Sequence, residues 1–217
     1  MMKLYSYWRS SAAWRVRIGL QLKGLAFDYV PVDLSKVDGG QHSPGYAALN
    51  PQHLVPTLVD GDTVIGQSLA ILEYLEERFP FPPLLPAGHA ARARARQIAL
   101  VIGADVHPLN NLRVLRYLEA EGAFDLAARS DWVHHWLKLG LDAAENLVDA
   151  SGPYALGAAL SLADLFIVPQ LYNARRYEFS LAAYPRLRRI DDACATLDAF
   201  ALARPECQPD APSASGR

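Results

Sequence analysis

The sequence predicts an α/β unit followed by an all-α unit. Three observations support this prediction. Strand and helix patterns alternate over residues 1–80, a proline-rich stretch follows, and only alanine-rich helical patterns occur beyond it. Strand–helix–strand order predicts a sheet with helices packed on it, whereas a run of helices alone predicts a helical bundle.

The first part begins with a strand, a helix and a second strand. A short tyrosine-rich strand is expected at 3–7. Apolar residues then recur at helical spacing over 12–23, a segment that Gly24 can end. The second strand is expected at 27–32, and Pro31 favours an edge position because proline cannot donate a hydrogen bond to a neighbouring strand.

A hairpin and a second helix complete the first part. Asp60-Gly61-Asp62 separates two short apolar segments, 57–59 and 63–65, and predicts a tight turn between two antiparallel strands. An amphipathic helix is expected at 68–78, where apolar and acidic residues lie on different faces. Together these elements predict a mixed sheet.

A domain boundary is expected after the second helix. Prolines recur between Phe79 and Pro86, where they remove hydrogen-bond donors and fix the backbone. We therefore predict domains at 1–80 and 88–217 with a linker at 81–87. Helices are predicted in the second domain at 90–117, 123–149, 162–172 and 187–203. The proline- and serine-rich tail from Pro205 is expected to be frayed.

Composition excludes several classes of function. The net charge is −2, from 21 basic and 23 acidic residues, so nothing indicates a nucleic-acid-binding surface. Cys194 and Cys207 fit neither a disulfide framework nor a metal site, and the six histidines lack ligand spacing. No apolar stretch is long enough to span a membrane. We expect a cytoplasmic protein without a metal.

Polar residues at the predicted helix starts are candidates for binding an anion. Ser10 and Ser11 precede the first helix, where unpaired N–H groups and the helix dipole favour negative charge. A serine hydroxyl there can donate to a thiolate or a carboxylate, although Ser10 can equally serve only as the helix cap. Ser68, after Gln67, is a natural N-cap that could also hold a ligand carboxylate.

A proline before the hairpin raises a further question about the backbone. Val55-Pro56 stands directly before the third predicted strand, and a cis peptide bond would present the backbone of Val55 in an unusual direction. The sequence leaves the isomer open, and trans is the commoner state.

These segments resemble the zeta class of the glutathione transferase family, which includes maleylacetoacetate and maleylpyruvate isomerases. The resemblance extends over nearly the whole chain. The segments that carry it are Tyr5-Ser6-Tyr7-Trp8-Arg9-Ser10-Ser11, Trp14-Arg15-Val16-Arg17-Ile18, Ala48-Leu49-Asn50-Pro51, Val55-Pro56-Thr57-Leu58, Gln67-Ser68-Leu69-Ala70-Ile71, His107-Pro108-Leu109-Asn110-Asn111, Ser161-Leu162-Ala163-Asp164 and Val168-Pro169-Gln170.

The resemblance implies a thioredoxin-like N-terminal domain, an all-α C-terminal domain (the glutathione-transferase fold), a homodimer and a glutathione cofactor. Ser10 and Ser11 would lie beside the glutathione sulfur. Val55 would pair its backbone with the tripeptide before a cis Pro56, and Gln67 and Ser68 would hold the γ-glutamyl carboxylate. Four further residues match positions that bind glutathione or border its site, namely Gln41, His107, Asn111 and Arg113.

The family commonly has cysteine at the position of Ala12, so a redox role for a protein thiol is not expected here. This difference and the His-Pro-x-Asn-Asn segment resemble the maleylpyruvate branch.

The expected reaction is cis–trans isomerisation of a maleyl dicarboxylate, maleylacetoacetate or maleylpyruvate, to its fumaryl isomer. Arg9 and Arg176 are candidates for binding the carboxylates of this small-molecule substrate, because a guanidinium matches a carboxylate with two hydrogen bonds. Arg175 is adjacent and competes for the same role. Two alternatives remain open: a zeta-class transferase acting on small α-halo acids, and a non-catalytic binding module with this fold.

Overall fold

The computed structural model describes residues 1–35 and 38–212. These residues form two compact units. The first contains Met1–Leu84 together with the segment from Ala195 onward, and the second contains Leu85–Cys194. The domains predicted at 1–80 and 88–217, with a linker at 81–87, were placed where the strand patterns end. These bounds remain a proposal.

The first unit is built on a four-stranded mixed sheet in the order β2-β1-β3-β4. The strands are β1 (Met2–Ser6), β2 (Phe27–Pro31), β3 (Thr57–Asp60) and β4 (Thr63–Gly66). β1 runs parallel to β2 and antiparallel to β3, and β3 runs antiparallel to β4. The edge position predicted for β2 is confirmed, with Pro31 as its last residue.

Helices α1 (Ser11–Leu22), α2 (Pro44–Leu49), α3 (Ser68–Arg78) and α9 (Asp198–Leu202) complete the first unit, and α1 packs against both α3 and α9. Short 3₁₀ turns occur at Gly40–His42 and Pro205–Cys207. Helix α2, which has six residues, was not predicted from the sequence. Its start nevertheless carries a signal, because Ser43 caps the helix and Pro44 occupies its first position.

Apolar side chains from the sheet and from two helices form the core of the first unit. Leu4, Leu58, Val16, Ile71 and Leu75 are all fully buried. Each such side chain contributes about 1.5–3 kcal/mol when it leaves water. The core therefore fixes α1 and α3 on the sheet, and the ends of these two helices carry the candidate site.

In the second unit, the described residues form helices joined by loops. They are α4 (His89–Leu100), a π-helical turn (Val101–Val106), α5 (Leu112–Ala120), α6 (Leu126–Leu147), α7 (Leu162–Arg176) and α8 (Pro185–Ala195). The prediction of a single helix over 90–117 is wrong, because the helical conformation is interrupted after His107. Pro108 lacks an N–H group, and Asn111 caps a new helix. The helix predicted over 187–203 also ends early, at Ala195, and α9 starts afresh at Asp198.

Helix α7 begins at a buried capping box. The carboxylate of Asp164 accepts hydrogen bonds from the backbone N–H groups of Ser161 and Ala155, each at 2.7 Å, and from the hydroxyl of Ser161 at 3.0 Å. Asp164 is fully buried, and burial raises the pKa of its carboxyl to about 6.

The C-terminal segment is bound to the first unit, so the prediction of a frayed tail is wrong for residues 205–212. The carboxylate of Asp210 accepts hydrogen bonds from the N–H of Trp8 and the hydroxyl of Tyr29, at 3.0 and 2.6 Å. Composition suggested fraying, but these partly buried hydrogen bonds hold the segment. Positions 213–217 of the predicted tail lie outside the described residues.

Across the part of the chain that the structure describes, no helix has the length and apolarity needed to cross a membrane.

Candidate active site

The sheet topology brings three predicted motifs to one edge of the first unit. Tyr5 of β1 lies opposite Thr57 of β3, and Thr57 lies opposite Gly66 of β4. The end of β1, the start of β3 and the end of β4 therefore share one edge of the sheet. Ser10-Ser11, Val55-Pro56 and Gln67-Ser68 follow or precede those strand ends.

Ser10 occupies the N-cap position of α1. Its Oγ accepts a hydrogen bond from the N–H of Ala13 at 3.2 Å, so the capping role is confirmed. Because the oxygen acts as acceptor in this bond, the hydroxyl hydrogen stays available to a ligand. Ser11 is the first residue of α1 and is buried, whereas Arg9 is exposed with its guanidinium 5.4 Å from the centre of the Trp8 ring.

The Val55–Pro56 peptide bond is cis, which answers the question that the sequence left open. Val55 is buried in a cluster with Val32 and Tyr46. The preceding carbonyl, that of Leu54, accepts hydrogen bonds from the Tyr46 hydroxyl and, at 2.8 Å, from the Asn50 amide. These two hydrogen bonds to Leu54 thus fix the backbone next to Val55.

Gln67, rather than the predicted Ser68, occupies the N-cap position of α3. Its φ of 65° lies in the left-handed region, which a non-glycine residue adopts at an energetic cost and which recurs at ligand sites. Its side-chain amide donates to Gln52 Oε1 at 2.8 Å. Ser68 is then the first helical residue and is buried, and its own N–H group is one of the first-turn donors that have no acceptor within the helix.

Arg15 is a functional candidate that the sequence analysis missed. Its side chain is 1% exposed, and its Nη1 donates to Ser68 Oγ at 3.3 Å. Burial lowers the pKa of Arg15 to about 9, so it still carries its charge at neutral pH. Because Ser68 accepts this bond, its own hydrogen is available to an anion. An arginine among the apolar residues of α1 was the signal in the sequence.

Gln41 carries a buried acceptor next to the same edge. Its side chain is 6% exposed, and its Oε1 has no hydrogen-bond partner within residues 1–35 and 38–212. Its backbone carbonyl lies 3.0 Å from His53 Nδ1. A buried amide oxygen without a donor is costly, and an N–H group of a peptide ligand would satisfy it. The donor and acceptor groups of this unit therefore fit a small anionic peptide such as glutathione.

The other cofactor candidates belong to the second unit. His107 is half-buried at the break after the π-helical turn. The Oδ1 of Asn111 accepts from the N–H of Arg113 at 3.1 Å and caps α5, which leaves the Asn111 amide hydrogens for other partners. The Arg113 side chain is exposed.

The two arginines at the end of α7 have different surroundings. Arg175 forms an ion pair with Asp191. Arg176 is exposed, donates from Nη1 to Asn173 Oδ1 at 3.1 Å, and lies 5.9 Å from the centre of the Tyr177 ring.

Within residues 1–35 and 38–212, no group of three or more His, Cys, Asp or Glu side chains is arranged to hold a metal ion.

A family model and a sequence relative both point to the same protein family. Residues 4–83 match the family model of the glutathione S-transferase N-terminal domain. The maleylacetoacetate isomerase of Pseudomonas aeruginosa is 47% identical over 215 residues, which cover 98% of this chain and all of that protein.

Two solved structures are similar to this chain in both sequence and fold. A holo maleylpyruvate isomerase, described as a bacterial glutathione S-transferase of the zeta class, is 45% identical with a TM-score of 0.93, covering 97% of this chain and all of that one. A maleylacetoacetate isomerase from Anaeromyxobacter dehalogenans, with dicarboxyethyl glutathione and citrate in its active site, is 44% identical with a TM-score of 0.84, covering 98% of both chains. This chain therefore belongs to the glutathione transferase family, in the zeta class that contains the maleylacetoacetate and maleylpyruvate isomerases.

Proposed function

We propose that this protein is a glutathione-dependent cis–trans isomerase that converts a maleyl dicarboxylate, maleylacetoacetate or maleylpyruvate, to its fumaryl isomer. The observation that carries the proposal is the Ser10 hydroxyl. Its oxygen accepts from the N–H of Ala13 at the start of α1, and its hydrogen is left to donate. The hydroxyl can thus stabilise a neighbouring negative charge together with the helix dipole.

When bound, glutathione would supply a thiolate that adds to the cis double bond of the substrate and leaves once that bond has rotated. A free thiol has a pKa of about 8.5, so only a small fraction is ionised at neutral pH. Lowering that pKa by about two units needs about 2.7 kcal/mol. A hydrogen bond to the anion contributes about 1.5–3 kcal/mol and the helix N-terminus about 0.3–1 kcal/mol. Ser10, Ser11 and the start of α1 together can meet that requirement.

The remaining residues of the first unit would bind the rest of the tripeptide. Ser68, with Arg15 behind it at 3.3 Å, and the backbone at Gln67 would hold the γ-glutamyl carboxylate. The backbone of Val55 would pair with the cysteinyl part, and Gln41 would accept an N–H group at its buried oxygen. From the second unit, His107, Asn111 and Arg113 are proposed to border the site.

Substrate carboxylates would be bound by arginine. We assign this role to Arg9 and Arg176, whose guanidinium groups are exposed and lie beside aromatic rings. The ligand in the A. dehalogenans isomerase carries two carboxylates on glutathione, and this supports a dicarboxylate as the substrate class. A cytoplasmic homodimer is also proposed, and sedimentation of the purified protein tests the oligomeric state.

The proposal is tested by giving the purified protein maleylpyruvate, maleylacetoacetate and dichloroacetate, each with glutathione. We expect fumaryl products from at least one maleyl compound, and none when S-methylglutathione, which has no free thiol, replaces glutathione. Turnover of dichloroacetate alone would favour a general transferase. No turnover together with no glutathione binding would favour a non-catalytic module.

A further inference from the structure

The backbone of Trp8 is held on both sides, directly before the residues that carry the candidate chemistry. Its carbonyl accepts a hydrogen bond from Arg17 Nη2 at 3.0 Å. Its N–H donates to Asp210 Oδ2, also at 3.0 Å, across 202 positions of sequence. Arg9 and Ser10 follow at once, so their placement depends on how this segment is held.

Arg17 is the inner half of this arrangement. It is 1% exposed, and it also donates to Ser6 Oγ at 3.1 Å and to the Ala203 carbonyl at 3.1 Å. The guanidinium thus joins the end of β1, the Trp8 backbone and the C-terminal segment. Burial lowers the pKa of Arg17 to about 10, while the negative charges of Asp210 and Glu206 favour its protonated form.

Asp210 is the outer half, and it is itself held in place. Its second oxygen, Oδ1, accepts the hydroxyl of Tyr29 at 2.6 Å. The segment that carries it is folded back on α9, because the side-chain amide of Gln208 donates to the carbonyls of Leu202 and Arg204, at 3.0 and 2.7 Å. Pro205 is buried in the same segment.

We propose that Asp210 is a positioning residue, which sets the conformation of Trp8–Ser10 from the C-terminal segment and so places the Ser10 hydroxyl and the Arg9 guanidinium. The inference rests on the proposed function for its catalytic consequence, but its structural part is independent of it. Asp210 acts through Trp8, whose ring lies 5.4 Å from the Arg9 guanidinium. Small displacements of a catalytic group cost large factors in rate, so this contact matters for activity.

The test uses Asp210→Asn in the full-length protein, with Asp210→Glu and Tyr29→Phe beside it. An asparagine is neutral and has one acceptor oxygen, so it removes the charge-assisted character of the bonds to Trp8 and Tyr29 and requires the Tyr29 hydroxyl to turn and accept from the new N–H₂ group. Tyr29→Phe removes the second contact alone and leaves the bond to Trp8. Glu206→Gln is the matched control, because it removes an exposed negative charge from the same segment.

The first readout is hydrogen exchange of the peptide spanning Trp8, measured without glutathione. We expect about tenfold faster exchange in Asp210→Asn, partial recovery in Asp210→Glu and no change in Glu206→Gln. Unchanged exchange in Asp210→Asn overturns the proposal, whatever the catalytic activity. Faster exchange over the whole chain also overturns it, because Asp210 would then be a general stability contact.

The second readout is the pH dependence of kcat/KM together with the affinity for S-methylglutathione. We expect Asp210→Asn to move the pH profile to higher pH and to lower kcat/KM about tenfold, with analogue binding unchanged. A local exchange effect with an unmoved profile overturns the catalytic part. If the unmodified protein shows no isomerase activity, the proposed function fails, while the exchange experiment still decides the role of Asp210 on its own.

Discussion

At the scale of single residues, three polar side chains of the candidate site can each serve two roles. Ser10 Oγ accepts from Ala13, and Ser68 Oγ accepts from Arg15, so both hydroxyls keep a hydrogen for a ligand. The cap and the proposed catalytic donor are therefore compatible roles of one side chain. The same holds for Asn111, which caps α5 with its oxygen and retains its N–H₂ group.

Replacing Ser10 by alanine removes both roles. We expect the pH profile of kcat/KM to shift to higher pH, because the enzyme-bound thiol loses a donor, and the rate near neutral pH to fall at least tenfold. Loss of the cap should also lower the free energy of unfolding by about 1 kcal/mol. Ser10→Thr is the control that keeps the hydroxyl. An unmoved profile in Ser10→Ala would leave Ser10 only as a cap.

Arg176→Ala should act on the substrate rather than on glutathione. Losing a charge-assisted bond to a carboxylate costs about 1.5–3 kcal/mol, so KM for the maleyl substrate should rise about tenfold to a hundredfold. Glutathione affinity should stay unchanged. Arg175→Ala is the matched control, since Arg175 pairs with Asp191 and should alter KM little. Equal losses of substrate and glutathione affinity in Arg176→Ala would contradict the assigned role.

At the scale of elements, local patterns predicted the sheet strands, the hairpin, α1 and α3, because each depends on neighbouring residues. The misses have physical causes. Helix α2 is too short for a periodic pattern, and Pro108 interrupts a segment whose composition is helical throughout. The N-cap of α3 was predicted at Ser68, one position after the observed Gln67, since Gln67 adopts a left-handed backbone that its residue type does not announce.

The start of α7 gives a pH prediction. Burial raises the pKa of Asp164 to about 6 from 3.8, so the folded protein favours the protonated side chain. This preference adds fully to the free energy of unfolding below about pH 4, and the added stability is lost as the pH rises through 6. Asp164→Asn carries no such titration. The stability advantage of the natural protein over this variant should shrink by about 2–3 kcal/mol between pH 4 and pH 7.

Urea unfolding of both proteins at several pH values measures that difference. Asn also offers one acceptor oxygen for the three donors around Asp164, so the variant should be the less stable protein at pH 4. A difference that stays constant or grows with pH would show that the ionised form of Asp164 is not disfavoured in the folded state.

At the scale of the whole molecule, the main feature hidden from the sequence is the return of the C-terminal segment to the first unit. The contact between Trp8 and Asp210 spans 202 positions, and no local pattern announces a pair so distant. The site motifs themselves could be predicted, since each lies at a helix or strand start. The roles of Arg15 and Asp210 could not be predicted, because they depend on contacts with residues that are distant in the sequence.

The two cysteines should differ sharply in reactivity. Cys207 is exposed, whereas Cys194 is buried, and burial raises the pKa of its thiol. A thiol reagent should therefore modify one cysteine rapidly in the native protein and two in the unfolded chain. Cys207→Ser should abolish the rapid phase. Two rapid phases in the native protein would mean that the helix carrying Cys194 opens readily.

The proposed reaction depends on ionisation of the thiol of bound glutathione, and the ultraviolet absorbance of the thiolate reports that ionisation. Glutathione is titrated into the protein near neutral pH, with S-methylglutathione as the reference ligand. We expect thiolate absorbance that grows to one equivalent per chain and that is strongly reduced in Ser10→Ala. Saturable binding of glutathione without any thiolate absorbance would contradict it.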